Sequence, residues 1–177
     1  MAAAHQLDPE RLGDHLDRLY RAAVAMCGDR HEAEDLVQET YERVLRRPRL
    51  VRGSDDLGYL LRALRNTYAS RVRTATRRPR TSPLPEPDSP AGELPDTRSP
   101  GPADSVVARE VYAHIAALPP DFRDAIVAVD VLGLSYAEAA RALRAREATI
   151  TTRLHRARLR VAAALEAGEG GAEDGSQ

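Results

Sequence analysis

The sequence contains no lysine, since all 26 basic residues are arginine. A compositional bias of the source genome accounts for that, and no function is read from it. Tryptophan is absent and phenylalanine occurs once. Any core must therefore be built from Leu, Val, Ile and Ala, which favours short packed helices over a large sheet sandwich. A single cysteine, Cys27, excludes an intramolecular disulfide and a cysteine-clustered zinc site. Set beside Val24, Ala25 and Met26, it reads as a buried, inert thiol rather than a redox sensor. No apolar run approaches the ~20 residues needed to span a bilayer, so no membrane insertion is expected. The opening "MAAAHQLDPERL" lacks the basic start and apolar run of a secretory signal, which points to a soluble, cytoplasmic protein. His5, His15, His31, His114 and His155 stand singly, without a second ligand or triad partner at useful spacing. Nor is there a phosphate-cradling glycine loop or an activated nucleophile. No catalytic residue, metal site or cofactor is assigned, and the chain is not expected to be an enzyme.

What is present is sharply ordered along the chain. Residues 79–102, "PRTSPLPEPDSPAGELPDTRSPGP", hold eight prolines. Such a segment sustains neither a helix nor a sheet ladder and has little to bury, so it reads as a stiffened linker. Helical patterns lie on both sides and no strand pattern is evident. The expectation is an all-α chain of two small helical domains, 7–78 and 103–165. The Gly-rich, acidic residues 166–177 read as a disordered tail. The net charge of −1 conceals segregation: residues 57–85 contain seven arginines and no acid, while Asp29, Glu32, Glu34, Asp35, Glu39 and Glu42 cluster just upstream. Either run alone is equally well a solvated face or a binding surface.

Three helices can be read by their faces at ~100° per residue. In "EDLVQETYERVL" (34–45), Val37, Thr40, Tyr41 and Val44 share one side, with Leu36 and Leu45 at its edges. Asp35, Glu39 and Glu42 project opposite, with Glu34 and Gln38 near them. An acidic face repels nucleic acid and attracts a basic protein surface. In "LGYLLRALRNTYASRVR" (57–73), the apolar side is Leu57, Leu60, Leu61, Leu64, Tyr68 and Val72. Tyr59, Arg62, Asn66, Ala69, Ser70 and Arg73 face away. Arginines there can neutralise phosphates, an amide can read a base edge, and a tyrosine can stack on an unpaired base. Asn66 taken alone reads as an ordinary surface amide, and the arginines and outward tyrosine around it bring the binding reading level with that one. Finally, "LSYAEAARALRAREATITTRLHRARLR" has the grammar of a helix–turn–helix, opened by a Ser135–Glu138 capping box. Its second helix buries Ile150, Leu154, Ala157 and Val161. Outward stand Thr152, His155 and Arg156, flanked by Thr151 and Arg158 on one edge and by Arg153 and Arg160 on the other. Such a helix can enter a major groove, although many helical pairs have no DNA partner.

With those helices in order, the chain resembles a bacterial RNA polymerase sigma factor of the extracytoplasmic-function type. "AEDLVQETYERVL" is similar to the family's core-binding helix, and "YLLRALRNTYASRVR" to the helix that engages the −10 element. "LPPDFRDAIVAVDVLGLSYAEAARAL" followed by "ATITTRLHRARLR" is similar to the domain that reads the −35 element. The resemblance implies that Glu34, Asp35, Gln38, Glu39 and Glu42 bind the clamp coiled coil of the polymerase's largest subunit. It places Tyr59, Arg62, Arg65, Asn66 and Arg73 on the −10 element, with Gly53 and Ser54 in a loop that holds a flipped-out base. It assigns Thr151, Thr152, Arg153, His155, Arg156 and Arg158 to the −35 element. It further implies contact with the flap of the second large subunit and, as in many relatives, an anti-sigma factor that the residues themselves do not name.

Several positions depart from the family pattern. Thr151 stands where a basic residue is usual, Thr152 where Ser is frequent, and Tyr59 where Trp is frequent. Arg144 occupies a turn position that normally carries Gly, and a second Gly is usual near Ala148. Two other readings are a stand-alone helix–turn–helix regulator and a degenerate sigma-like chain that sequesters a partner. The first leaves the acidic helix unexplained, while the altered turn keeps the second in view.

Overall fold

The computed structural model describes residues 4–6, 12–46, 50–52, 55–77 and 105–172. The linker expected over 79–102, the loop residues Gly53 and Ser54, and residues 173–177 lie outside the described residues.

The fold is all-α, with one short two-stranded ribbon. Helix α1 spans Leu16–Cys27 and buries Leu19, Ala22, Ala23 and Met26, the spacing of one helical face. Gly28 ends it in the left-handed conformation (φ 77°), its N–H bonding back to the Val24 carbonyl at 2.8 Å. Helix α2, Arg30–Arg46, starts where the Asp29 carboxylate accepts from the Glu32 N–H at 2.9 Å. Helix α3 is Asp56–Arg77. Thr40 and Thr67 are buried at the contacts of these helices. Each hydroxyl donates to a carbonyl one turn earlier, at 2.7 Å to Leu36 and 3.0 Å to Ala63, so neither polar group is stranded. The half-buried Tyr41 phenol donates to the Leu12 carbonyl at 3.0 Å, and burial pushes its pKa up to about 12.

Helix α4, Val106–Ala116, is capped by Ser105, whose hydroxyl accepts from the Ala108 N–H at 3.0 Å. Helix α5, Pro120–Ile126, begins on a proline whose missing N–H costs nothing there, and runs into a π-helical turn over Val127–Val131. The anticipated capping box is present: the Ser135 hydroxyl accepts from the Glu138 N–H, and the Glu138 carboxylate accepts from the Ser135 N–H at 2.8 Å. It opens α6, Tyr136–Leu143, and α7 follows as Glu147–Ala172. Buried residues of both halves, including Leu19, Leu36 and Leu64 with Leu132, Ile150 and Leu154, form one continuous cluster.

Four details differ from the sequence reading. Strands β1 (Ala4–Gln6) and β2 (Leu50–Arg52) pair antiparallel, too short for three residues each to show alternation. Val72, assigned to a buried face, is 45% exposed because α3 outruns the helices it packs on. Leu36 is fully buried while Leu45, its counterpart on the other edge of α2, is 50% exposed. Helix α7 also continues to Ala172, into the stretch read as a disordered tail from residue 166. Extending an established helix fixes one residue per added hydrogen bond, which offsets the poor propensity of those glycines.

Burial, with Glu32 nearby, raises the Cys27 thiol to about 11 from an ordinary value of 9.0, against the opposing pull of Arg71 and Arg123. Two pKa units correspond to about 100-fold less thiolate at neutral pH. Alkylation of Cys27 by iodoacetamide in the folded chain is expected to run slower than that of free cysteine by about this factor. Modification at the free-cysteine rate would show that the thiol is not held in this environment.

Candidate nucleic-acid interface

The residues assigned from sequence fall on three surfaces. On α2, Glu34, Asp35, Gln38 and Glu42 are exposed. Gln38 donates to the Glu42 carboxylate at 3.4 Å, and Arg46 pairs with Glu42 at 3.5 Å. Glu39 is more enclosed, bridging Arg43 on its own helix and Arg71 of α3 at 2.7 Å. The acidic helix and the arginine-rich helix are thus partly each other's counter-charge. Glu34 and Asp35 are left as the outward acidic edge.

On α3, Asn66 and Arg73 are exposed. Tyr59, expected to face outward, is half-buried and packs against the core, so less of its ring is offered for stacking. Arg62 pairs with Asp55 at 3.3 Å. Arg65 is engaged elsewhere: its Nε lies 2.6 Å from the carboxylate of Asp124 on α5.

Helix α7 divides most cleanly. Ile150, Leu154, Ala157 and Val161 are buried, and Thr151, Thr152, His155 and Arg156 are exposed along the opposite face. Thr151 and Thr152 each donate their hydroxyl proton to a carbonyl one turn back, Glu147 and Ala148, both at 3.0 Å. Their outward lone pairs remain free to accept. The flanking arginines are tied down. Arg153 pairs with Asp121, and Arg158 makes a two-pronged contact with Asp130 at 2.6 and 2.9 Å. Arg160 lies over the Phe122 ring, 4.7 Å from its centroid. The arrangement sets one aliphatic face against its own core and leaves the opposite polar face exposed, with the helix held by charge contacts at both edges.

Residues 12–78 match Sigma-70 region 2, and residues 108–161 match Sigma-70, region 4. The ECF RNA polymerase sigma factor SigC of Mycobacterium tuberculosis is 36% identical over 136 residues, covering 76% of this chain and 71% of the relative. The chain belongs to the ECF RNA polymerase sigma factors. The ECF sigma factor SigE of Mycolicibacterium smegmatis is 37% identical over 153 residues; the match covers 84% of this chain and 58% of that longer relative. Among solved structures, the sigma factor RpoE from Bartonella quintana, crystallised with the anti-sigma factor NepR, superposes with a TM-score of 0.68 at 26% identity. That superposition covers 89% of this chain and 95% of the other.

Within this ECF sigma factor, the turn between α6 and α7 is unusual. Arg144 adopts φ 53°, ψ 45°, and is the one non-glycine residue with positive φ among the described residues. A side chain in that conformation costs about 1–2 kcal/mol, partly offset because glycine is more disordered when unfolded, by about 0.5–1 kcal/mol. Arg144→Gly is therefore expected to stabilise the chain by about 0.5–1 kcal/mol. The readout is a higher urea midpoint at unchanged slope; a lower midpoint would mean that the arginine side chain holds the turn by contacts outweighing its strain.

Among the described residues no group of His, Cys, Asp and Glu could hold a metal ion, and no helix is long and apolar enough to cross a membrane. Sequence reading missed Asp121, Asp124 and Asp130, the carboxylates that hold Arg153, Arg65 and Arg158. Each partner lies 28 or more residues away, and no local pattern marks such pairs.

Proposed function

We propose that this ECF sigma factor binds core RNA polymerase and directs it to a specific promoter set, reading −35 and −10 elements and assisting −10 melting. Glu34 and Asp35, with Gln38, Glu39 and Glu42, would meet the basic clamp coiled coil of the largest subunit. Asn66, Arg62, Arg65 and Arg73, with Tyr59 and the Gly53–Ser54 loop, would take the −10 strand. The outward face of α7 (Thr151, Thr152, His155 and Arg156, with Arg153 and Arg158 beside it) would enter the major groove at −35. The chain would work as two binding units, 7–78 and 103–165, joined by 79–102, with the second unit also resting on the polymerase flap. It acts in the cytoplasm and by binding energy rather than by catalysis. Arginines supply salt-dependent attraction, polar side chains select bases, and capture of unpaired bases draws the duplex open.

The observation that carries this reading is the pairing of an outward acidic edge on α2 with an outward polar face on α7 that can enter a groove. A stand-alone DNA-binding protein needs only the second. The test is a gel shift of promoter-length duplexes by the chain alone, by core polymerase alone and by the two together. A discrete shifted complex is expected only with both. A specific complex with the chain alone would favour the stand-alone regulator.

A further inference from the structure

The arginines along α7 are not held alike. Arg156 has no ion pair among the described residues, Arg153 meets Asp121 through one nitrogen, and Arg160 lies over the Phe122 ring. Arg158 is gripped along an edge. Its Nε donates to one oxygen of the Asp130 carboxylate at 2.9 Å, and its Nη2 to the other at 2.6 Å. Both side chains stay open to solvent, Arg158 at 52% and Asp130 at 32% exposed. Asp130 comes from the π-helical turn Val127–Val131, a winding that is rare and recurs at functional sites.

A pair so exposed contributes little to stability. What it fixes is geometry. A guanidinium is planar, and its N–H donors point in set directions. With Nε and one hydrogen of Nη2 given to Asp130, the Nη1 donors and the other Nη2 hydrogen form a second edge. No contact occupies that edge among the described residues, and its spacing suits two oxygens of a phosphate. The location suits one too. Asp130 above all, and Tyr136 with it, hold the Arg158 pKa above its ordinary value against an opposing desolvation, so the guanidinium lies beside the first residue of α6. In a helix–turn–helix the first helix crosses the DNA backbone while the second lies in the major groove. Arg158 therefore stands on the groove-entering helix, at the side where its companion helix meets phosphates.

We propose that Asp130 is a positioning residue for DNA binding: its carboxylate holds Arg158 side-on, so that the free edge of the guanidinium meets a backbone phosphate at the rim of the −35 groove. The inference rests on the sigma-factor reading and deepens it at one residue of the same surface. An arginine already held in place loses less freedom when DNA arrives than one that must be ordered at that moment. The sign of the effect separates this role from simple electrostatics. Removing an acid beside a DNA-binding surface ordinarily strengthens binding, because carboxylate and phosphate repel. Here its removal weakens binding.

The test uses holoenzyme, core polymerase with the full chain, on a duplex carrying the −35 sequence upstream of a mapped transcript start. Asp130→Asn, which keeps the side-chain shape, should weaken binding about three- to tenfold, the effect of having to order one long side chain. Its thermal midpoint should stay within about 2 °C of the parent. Arg158→Ala should also weaken binding and flatten the log–log salt slope by about 0.9, one phosphate on duplex DNA. Added to Arg158→Ala, Asp130→Asn should bring no further loss. Tighter or unchanged binding by Asp130→Asn alone would overturn the proposal, making the carboxylate a competitor of DNA or a bystander. Equal losses in both backgrounds, or unfolding of Asp130→Asn, would overturn it as well, making Asp130 a structural element. So would an unchanged slope in Arg158→Ala, since no phosphate would then be met there. The parent is scored first: its failure to form a promoter complex removes the sigma-factor reading, whereas a binding parent with indifferent variants removes only the positioning role.

Discussion

Asp35→Lys is expected to weaken binding to core polymerase by at least about tenfold, and Glu34→Lys with Asp35→Lys to abolish it in a direct binding assay. Tenfold corresponds to about 1.4 kcal/mol, modest for turning an attraction at a charged interface into a repulsion. Both residues are exposed on α2. Surface changes of this kind usually alter stability by no more than about 0.5 kcal/mol, so helical content and thermal midpoint should hold. Glu39 is a poorer probe. Its carboxylate bridges Arg43 and Arg71, and reversing it would pull α2 from α3 as well as change the surface. Undiminished binding by the double variant would remove the clamp assignment and return the acidic edge to an ordinary solvated face.

The second large effect is on promoter choice. Arg156 is exposed on the outward face of α7, and no ion pair holds it among the described residues, unlike Arg153 and Arg158. If it makes a two-pronged contact to a base edge, Arg156→Ala should cost about 1–3 kcal/mol of discrimination between the preferred −35 sequence and its single-base variants. Affinities of the holoenzyme across a panel of −35 substitutions measure this. The loss should concentrate at one or two base positions. A uniform loss at every position, with a shallower salt dependence, would make Arg156 a phosphate contact instead.

How much of this was legible in the sequence depended on whether the deciding contact was local. The two faces of α7 could be read because Ile150, Leu154, Ala157 and Val161 repeat within one helix, and all four are buried. The capping box at Ser135 and Glu138 was equally local. Val72 misled because its periodicity continues past the end of the packing partner, so pattern without a neighbour left it exposed. The edge proposed to meet polymerase was visible as an acidic cluster, but not the division within it. That Glu39 turns to Arg71 while Asp35 stays outward depends on how α2 meets α3. Least legible was Asp124. Nothing near "PDFRDAI" signals that its carboxylate will meet an arginine from the other side of the proline-rich segment.

In vitro initiation tests the central claim most directly. Core RNA polymerase, this chain and fragments of the source genome would be combined and transcript starts mapped. The account predicts discrete, protein-dependent starts that share sequences near −35 and −10, lost with the Glu34→Lys/Asp35→Lys variant. No protein-dependent start, with core binding intact, would contradict it and leave a sigma-like chain that occupies polymerase without directing it.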